Sequence, residues 1–153
     1  MAAQGGYTLT TKGFPMIYSM FAMVLLTFVV AGYLLKLRID AVKSGKVKLS
    51  SFRLNNPPDM PINMLQASRN YSNLFEVPVF FYAAGTLALT LQLETTSMIV
   101  LSWFFVAARI AHSWIHLTNN DVIRRLQAFI ASNICVFLIW IILVWEYSTK
   151  HFY

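Results

Sequence analysis

Six residues able to do chemistry stand inside long apolar stretches of this sequence. Arg69, Asn73 and Glu76 share one stretch; Arg109, His112 and His116 share another. At about 100° per residue, each trio falls within roughly a 60° arc of one helix face. An ionisable side chain turned toward lipid costs about 2.5 kcal/mol or more, so such residues face a bundle interior or a wet cavity. The two faces together predict a cationic pocket with one carboxylate, and Arg124 and Arg125 add to its rim. Such a pocket suits a small anion arriving from water, which would meet an apolar co-substrate from the bilayer. Glu76 has a second reading, as an ion-pair partner of Arg69 or of a neighbouring helix that locks the bundle. A histidine pair at i, i+4 can also ligate a metal, but a metal site wants a third ligand, and Glu76 is the one obvious carboxylate nearby. Hydrogen-bonded structural histidines are the simpler reading, so no metal is expected.

Four charge-free blocks, residues 13–35, 77–93, 95–108 and 126–145, must position these groups. Of the 153 residues, 58% are hydrophobic and only 12% charged, about half the charge of a soluble domain, near 25%. A helix spans a bilayer core in about 20 residues, so the first and last blocks suffice alone. The middle two suffice only if the polar residues above are admitted. The blocks are continuously apolar rather than alternating, which excludes a transmembrane β-barrel. The predicted fold is therefore an all-α membrane protein, a four-transmembrane-helix bundle in a single domain over residues 1–153. Its spans fall at about 14–37, 63–93, 95–117 and 122–147. Pro15 suits the first turn of span 1. The 55–61 stretch, rich in Asn and Pro, reads as loop, and Pro78 permits a kink in span 2 by leaving the Leu74 carbonyl without its usual partner. Asn120 or Asp121 would cap span 4.

Loop charge sets the expected orientation. Lys36, Arg38, Lys43, Lys46, Lys48 and Arg53 follow span 1, and Arg124 and Arg125 follow span 3, whereas the link between spans 2 and 3 carries Glu94 and no base. Both basic loops should face the cytoplasm, with both termini on the opposite side of a bacterial inner membrane or its equivalent. The net charge of +6 is explained by this bias, and no domain-sized soluble region is left for nucleic acid. Span 1 is too long for a signal peptide and has no clear cleavage site after it. Cys135, a lone mid-span thiol, reads as a small hydrophobe. The absence of an inverted repeat disfavours a transporter.

The same residues carry a resemblance. Arg69-x-x-x-Asn73-x-x-Glu76 followed by Pro78 and Phe80, Arg109-x-x-His112-x-x-x-His116, and Ser44-Gly45-Lys46-Val47-Lys48 resemble the helix-2, helix-3 and first-loop motifs of the MAPEG family, the membrane-associated proteins in eicosanoid and glutathione metabolism. His116 stands where better-known members commonly have tyrosine, which is closer to the bacterial-type branch. The resemblance implies a homotrimer that binds glutathione as co-substrate between subunits near the cytoplasmic face. It implies that Arg69, Asn73, Glu76, Arg109, His112, His116 and Lys48 hold glutathione, and that Arg125 or Arg124 sits beside the thiol. A cation there stabilises thiolate, the nucleophilic form. The implied activity is that of a glutathione transferase or glutathione-dependent peroxidase acting on lipophilic electrophiles. The alternative is a non-catalytic protein of the same fold that binds lipid or supports a larger complex.

Overall fold

A computed structural model of the chain describes residues 15–53 and 60–152. The described chain is helical throughout: α1 (Met16–Lys43), a short 3-10 helix (Leu49–Arg53), α2 (Ile62–Asn73), α3 (Val77–Thr90), α4 (Thr96–Leu117) and α5 (Val122–Phe152). With α2 and α3 counted together, four segments are long and apolar enough to cross a membrane. The loop residues 55–59 and both termini, whose side of the membrane was assigned above, lie outside the described residues.

The surface confirms the medium. Phe28 is 72% exposed, Trp114 71% and Trp145 68%, on helices whose interior buries Arg109, His112, His116 and Asn70. A soluble protein would not expose such large apolar side chains in quantity while burying these polar ones; a bundle solvated by lipid does.

Local chemistry sets where each helix stops. Pro15 opens α1. Its C-terminus lies at Lys43, six residues past the expected end of span 1, because the stop comes from Gly45 rather than from the end of the apolar block. Gly45 adopts a left-handed φ of 69°, accessible at little cost without a Cβ. The chain then turns back, so that the Val47 N–H donates to the Ala41 carbonyl at 3.3 Å and Val47 packs with Leu34, Ala41, Met64 and Ala67. Span 2 is not one kinked helix but two. Pro78 lies in the first turn of α3 and cannot donate to Leu74, and the chain leaves α2 at Asn73 and re-enters helix at Val77.

The bundle has two ends. At the basic end α1 and α4 stop and α2 and α5 begin. At the opposite end, Glu94 in the α3–α4 link accepts the Met16 N–H at the start of α1, and Lys150 donates to the Leu91 carbonyl at 3.2 Å. Between them runs an apolar core, in which the Phe81 and Phe105 rings stack 4.4 Å apart. Gly85 leaves room on α3 for the Met20 side chain of α1: a Cβ there would lie 2.7 Å from Met20 Sδ.

Candidate functional site

The break between α2 and α3 builds the site. Pro78 leaves the Leu74 carbonyl without its helical donor, the chain stops being helix between Asn73 and Val77, and the Asn73 carbonyl accepts from Arg109 instead. One Arg109 nitrogen, Nη2, donates to both the Asn73 carbonyl and Asn73 Oδ1, each at 2.9 Å. Arg109 is fully buried, so its double contact fixes the level at which α4 meets the end of α2. The same break swings Glu76 to the surface, where Asn73 Nδ2 donates to its Oε2 at 3.4 Å.

One turn and two turns further along α4, toward the basic end, lie His112 and His116. His112 Nδ1 lies 3.1 Å from the Arg125 carbonyl. A carbonyl only accepts, so Nδ1 carries the proton. His116 Nε2 lies 3.4 Å from Arg125 Nη1. A guanidinium only donates, so this ring nitrogen accepts. Arg125 Nη1 also donates to Asn120 Oδ1 at 2.7 Å. Arg125 is thereby held through both its backbone and its side chain.

These groups surround a cavity of about 390 Å³ lined by Leu65, Ser68, Arg69, Ser72, Asn73, Glu76, His112, His116 and Arg125. Its volume suits a small molecule. Its wall carries two guanidiniums, two imidazoles, an asparagine amide and one carboxylate, the donor set for an anionic ligand that also bears an amine. Among the described residues no group of three His, Cys, Asp or Glu side chains could hold a metal ion.

The MAPEG family model matches residues 16–145. The chain belongs to the MAPEG family. It is thus a multi-pass membrane protein of the family associated with glutathione and eicosanoid metabolism. No curated protein and no solved structure matches the chain.

Of the residues singled out from the sequence, Arg69, Asn73, Glu76, His112, His116 and Arg125 come together around this one cavity of the MAPEG bundle. Arg109 lies behind it and reaches it through Asn73. Arg124 points elsewhere: its side chain is 70% exposed, with Nε 3.8 Å from Asp121 Oδ2. Lys48 is exposed ahead of the 3-10 helix and does not line the cavity. The expected ion pair of Glu76 with Arg69 or a neighbouring helix is not formed; among the described residues the one ion pair is that of Arg124 with Asp121. Arg109 is spent instead on uncharged oxygens of Asn73. Ser68 and Ser72 were missed, although 65, 68, 69, 72, 73 and 76 form a helical stripe at i, i+3, i+4 and i+7 that the sequence displays. Asn120 was read as a cap alternative; Asp121 takes that role, accepting from the Ile123 and Arg124 N–H groups at 2.9 and 3.0 Å.

Proposed function

We propose that this MAPEG protein is a glutathione transferase or glutathione-dependent peroxidase acting on lipophilic electrophiles. Glutathione would bind in the cavity, its carboxylates against Arg69 and the neighbouring donors and its amine against Glu76. Arg125 would stand beside the sulfur. The thiol releases its proton to solvent and the thiolate attacks. In conjugation, a carbon–sulfur bond forms as the electrophile's leaving group departs. In peroxide reduction, sulfur takes the distal oxygen, alcohol leaves, and a second glutathione converts the sulfenic acid to disulfide and water. The observation that supports this reading most is Arg125, lining the cavity with its Nη1 held by neutral acceptors.

On the same reading the protein is a homotrimer with glutathione between subunits, in the bacterial-type branch of the family given His116 at the tyrosine position. On this reading the basic end faces the cytoplasm, which the lysines and arginines of the α1–α2 loop favour.

The test is turnover of a lipophilic aryl halide and of a lipid hydroperoxide by the purified protein, with Arg125→Ala beside wild type. The substitution should lower turnover by about 10²–10³-fold while glutathione affinity changes by less than about threefold. Equal loss of affinity and rate would contradict a thiolate-stabilising role.

A second reading rests on a different feature. An apolar groove of about 390 Å³ lies between α1 and the α2–α3 break, lined by residues including Phe28, Tyr71, Phe75 and Tyr82. A non-catalytic lipid-binding protein would use this groove, with no dependence on glutathione.

A further inference from the structure

The link between α4 and α5 contains a residue whose conformation and side chain do separate things. Asn120 adopts a left-handed φ of 52°, and its N–H closes α4 by donating to the Ile115 carbonyl at 2.8 Å. A turn alone would be served as well by glycine, which meets no steric cost at positive φ. Here the side chain is engaged as well. Its Oδ1 takes Arg125 Nη1 at 2.7 Å, the shortest of that guanidinium's contacts, and His116 Nε2 takes the same nitrogen at 3.4 Å. The two N–H bonds of Nη1 are thereby both used. Nε and Nη2 have no partner among the described residues, and Arg125 lines the cavity. The guanidinium is gripped by one edge and offers the other.

The chemistry of the grip matters as much as its geometry. Arginines are commonly fixed by carboxylates, which cancel their charge at short range. Both acceptors here are uncharged, a carboxamide oxygen and an imidazole lone pair. Asp121, next in the chain, turns instead to the α5 N–H groups and to Arg124. Glu76, across the cavity, has no cation within 4 Å among the described residues. The full positive charge of Arg125 is left to act on a bound anion.

We propose that Asn120 is a positioning residue: its carboxamide, with His116, orients the Arg125 guanidinium toward the thiolate of a bound thiol without neutralising it. This rests on the glutathione reading above. It extends the site to a residue that touches neither substrate.

The experiment is a pH titration of the bound thiol, followed by ultraviolet thiolate absorbance in the full-length detergent-solubilised oligomer saturated with glutathione. Wild type should hold the thiol about 1–3 units below its ordinary range, and Arg125→Ala should return it there. Asn120→Gly keeps the turn and removes the oxygen, and should recover about half of that shift. In the Arg125→Ala background the same substitution should add nothing. Asn120→Asp restores an oxygen but brings a negative charge, and should raise the thiol pKa at least as far as Asn120→Gly. A wild-type titration in Asn120→Gly, with Arg125→Ala still effective, would overturn the positioning role and leave the glutathione reading standing. A wild-type titration in Asn120→Asp would overturn the argument from neutral acceptors. A bound thiol that titrates normally in the wild type would overturn both, because Arg125 would then not act on the sulfur.

Discussion

The two halves of α4 treat polar groups in opposite ways. In the half toward the opposite end, Ser102 is buried and its hydroxyl donates to its own helix at the Ile99 carbonyl, 2.6 Å away. Ser19 of α1 and Ser132 of α5 do likewise, at 2.7 and 2.8 Å. These buried hydroxyls are satisfied within their own helices, and the helix interiors there meet largely through apolar surfaces such as the Phe81–Phe105 stack. In the half toward the basic end, Arg109, His112 and His116 all reach other elements. Ser113, at 1% exposure, finds no partner at all among the described residues. Asn70 of α2 and several nitrogens of Arg109, His112 and His116 are also left unpartnered there. One half satisfies its buried polar groups locally, whereas the other buries polar groups that lack partners among the described residues, some beside the cavity and some behind it, at the cost that unpaired buried groups carry.

Breaking the second half should have the largest effect on the fold. Arg109→Ala removes both contacts to Asn73 and leaves a void in place of a fully buried side chain. The protein should lose about 3 kcal/mol or more of stability by denaturant unfolding in detergent. A loss under about 1 kcal/mol would mean that Arg109 does not hold α2 to α4. The two buried serines of α4 sharpen the contrast on a finer scale. Ser102→Ala removes a made hydrogen bond and should cost about 0.5–1 kcal/mol. Ser113→Ala removes an unpaired hydroxyl and should be neutral or stabilising by about 0.5 kcal/mol. Equal costs for the two would erase the distinction between the halves.

Much of this was legible in the sequence, for a physical reason. A bilayer demands long charge-free helices, and four such blocks can hardly be hidden. The few polar residues they admit must face inward, which brought Arg69, Asn73, Glu76, His112 and His116 to one site from periodicity alone. Three features were not legible. The full break at Leu74–Glu76, where Pro78 alone predicts a kink, is accompanied by Arg109 taking the Asn73 carbonyl, a contact between residues 36 positions apart. Glu76 has no ion pair among the described residues, while Arg109 is bonded to Asn73 instead. Asn120 reaches Arg125 across a left-handed turn and a helix start, where neither the 3.6-residue nor the 2-residue period applies. By contrast, the extension of α1 to Lys43 had a readable signal in Ser44-Gly45, a helix-stop pattern that outweighs the end of hydrophobicity.

Binding of glutathione in the cavity between α2, α4 and α5 is the proposal on which the rest depends. It is tested most directly by the dissociation constant of glutathione for the purified, detergent-solubilised oligomer, with Glu76→Gln beside it. Millimolar or tighter binding is expected, weakened about tenfold or more by the substitution, since Glu76 is the one carboxylate lining the cavity among the described residues. No detectable binding by a folded, oligomeric sample, or binding indifferent to Glu76, would contradict it.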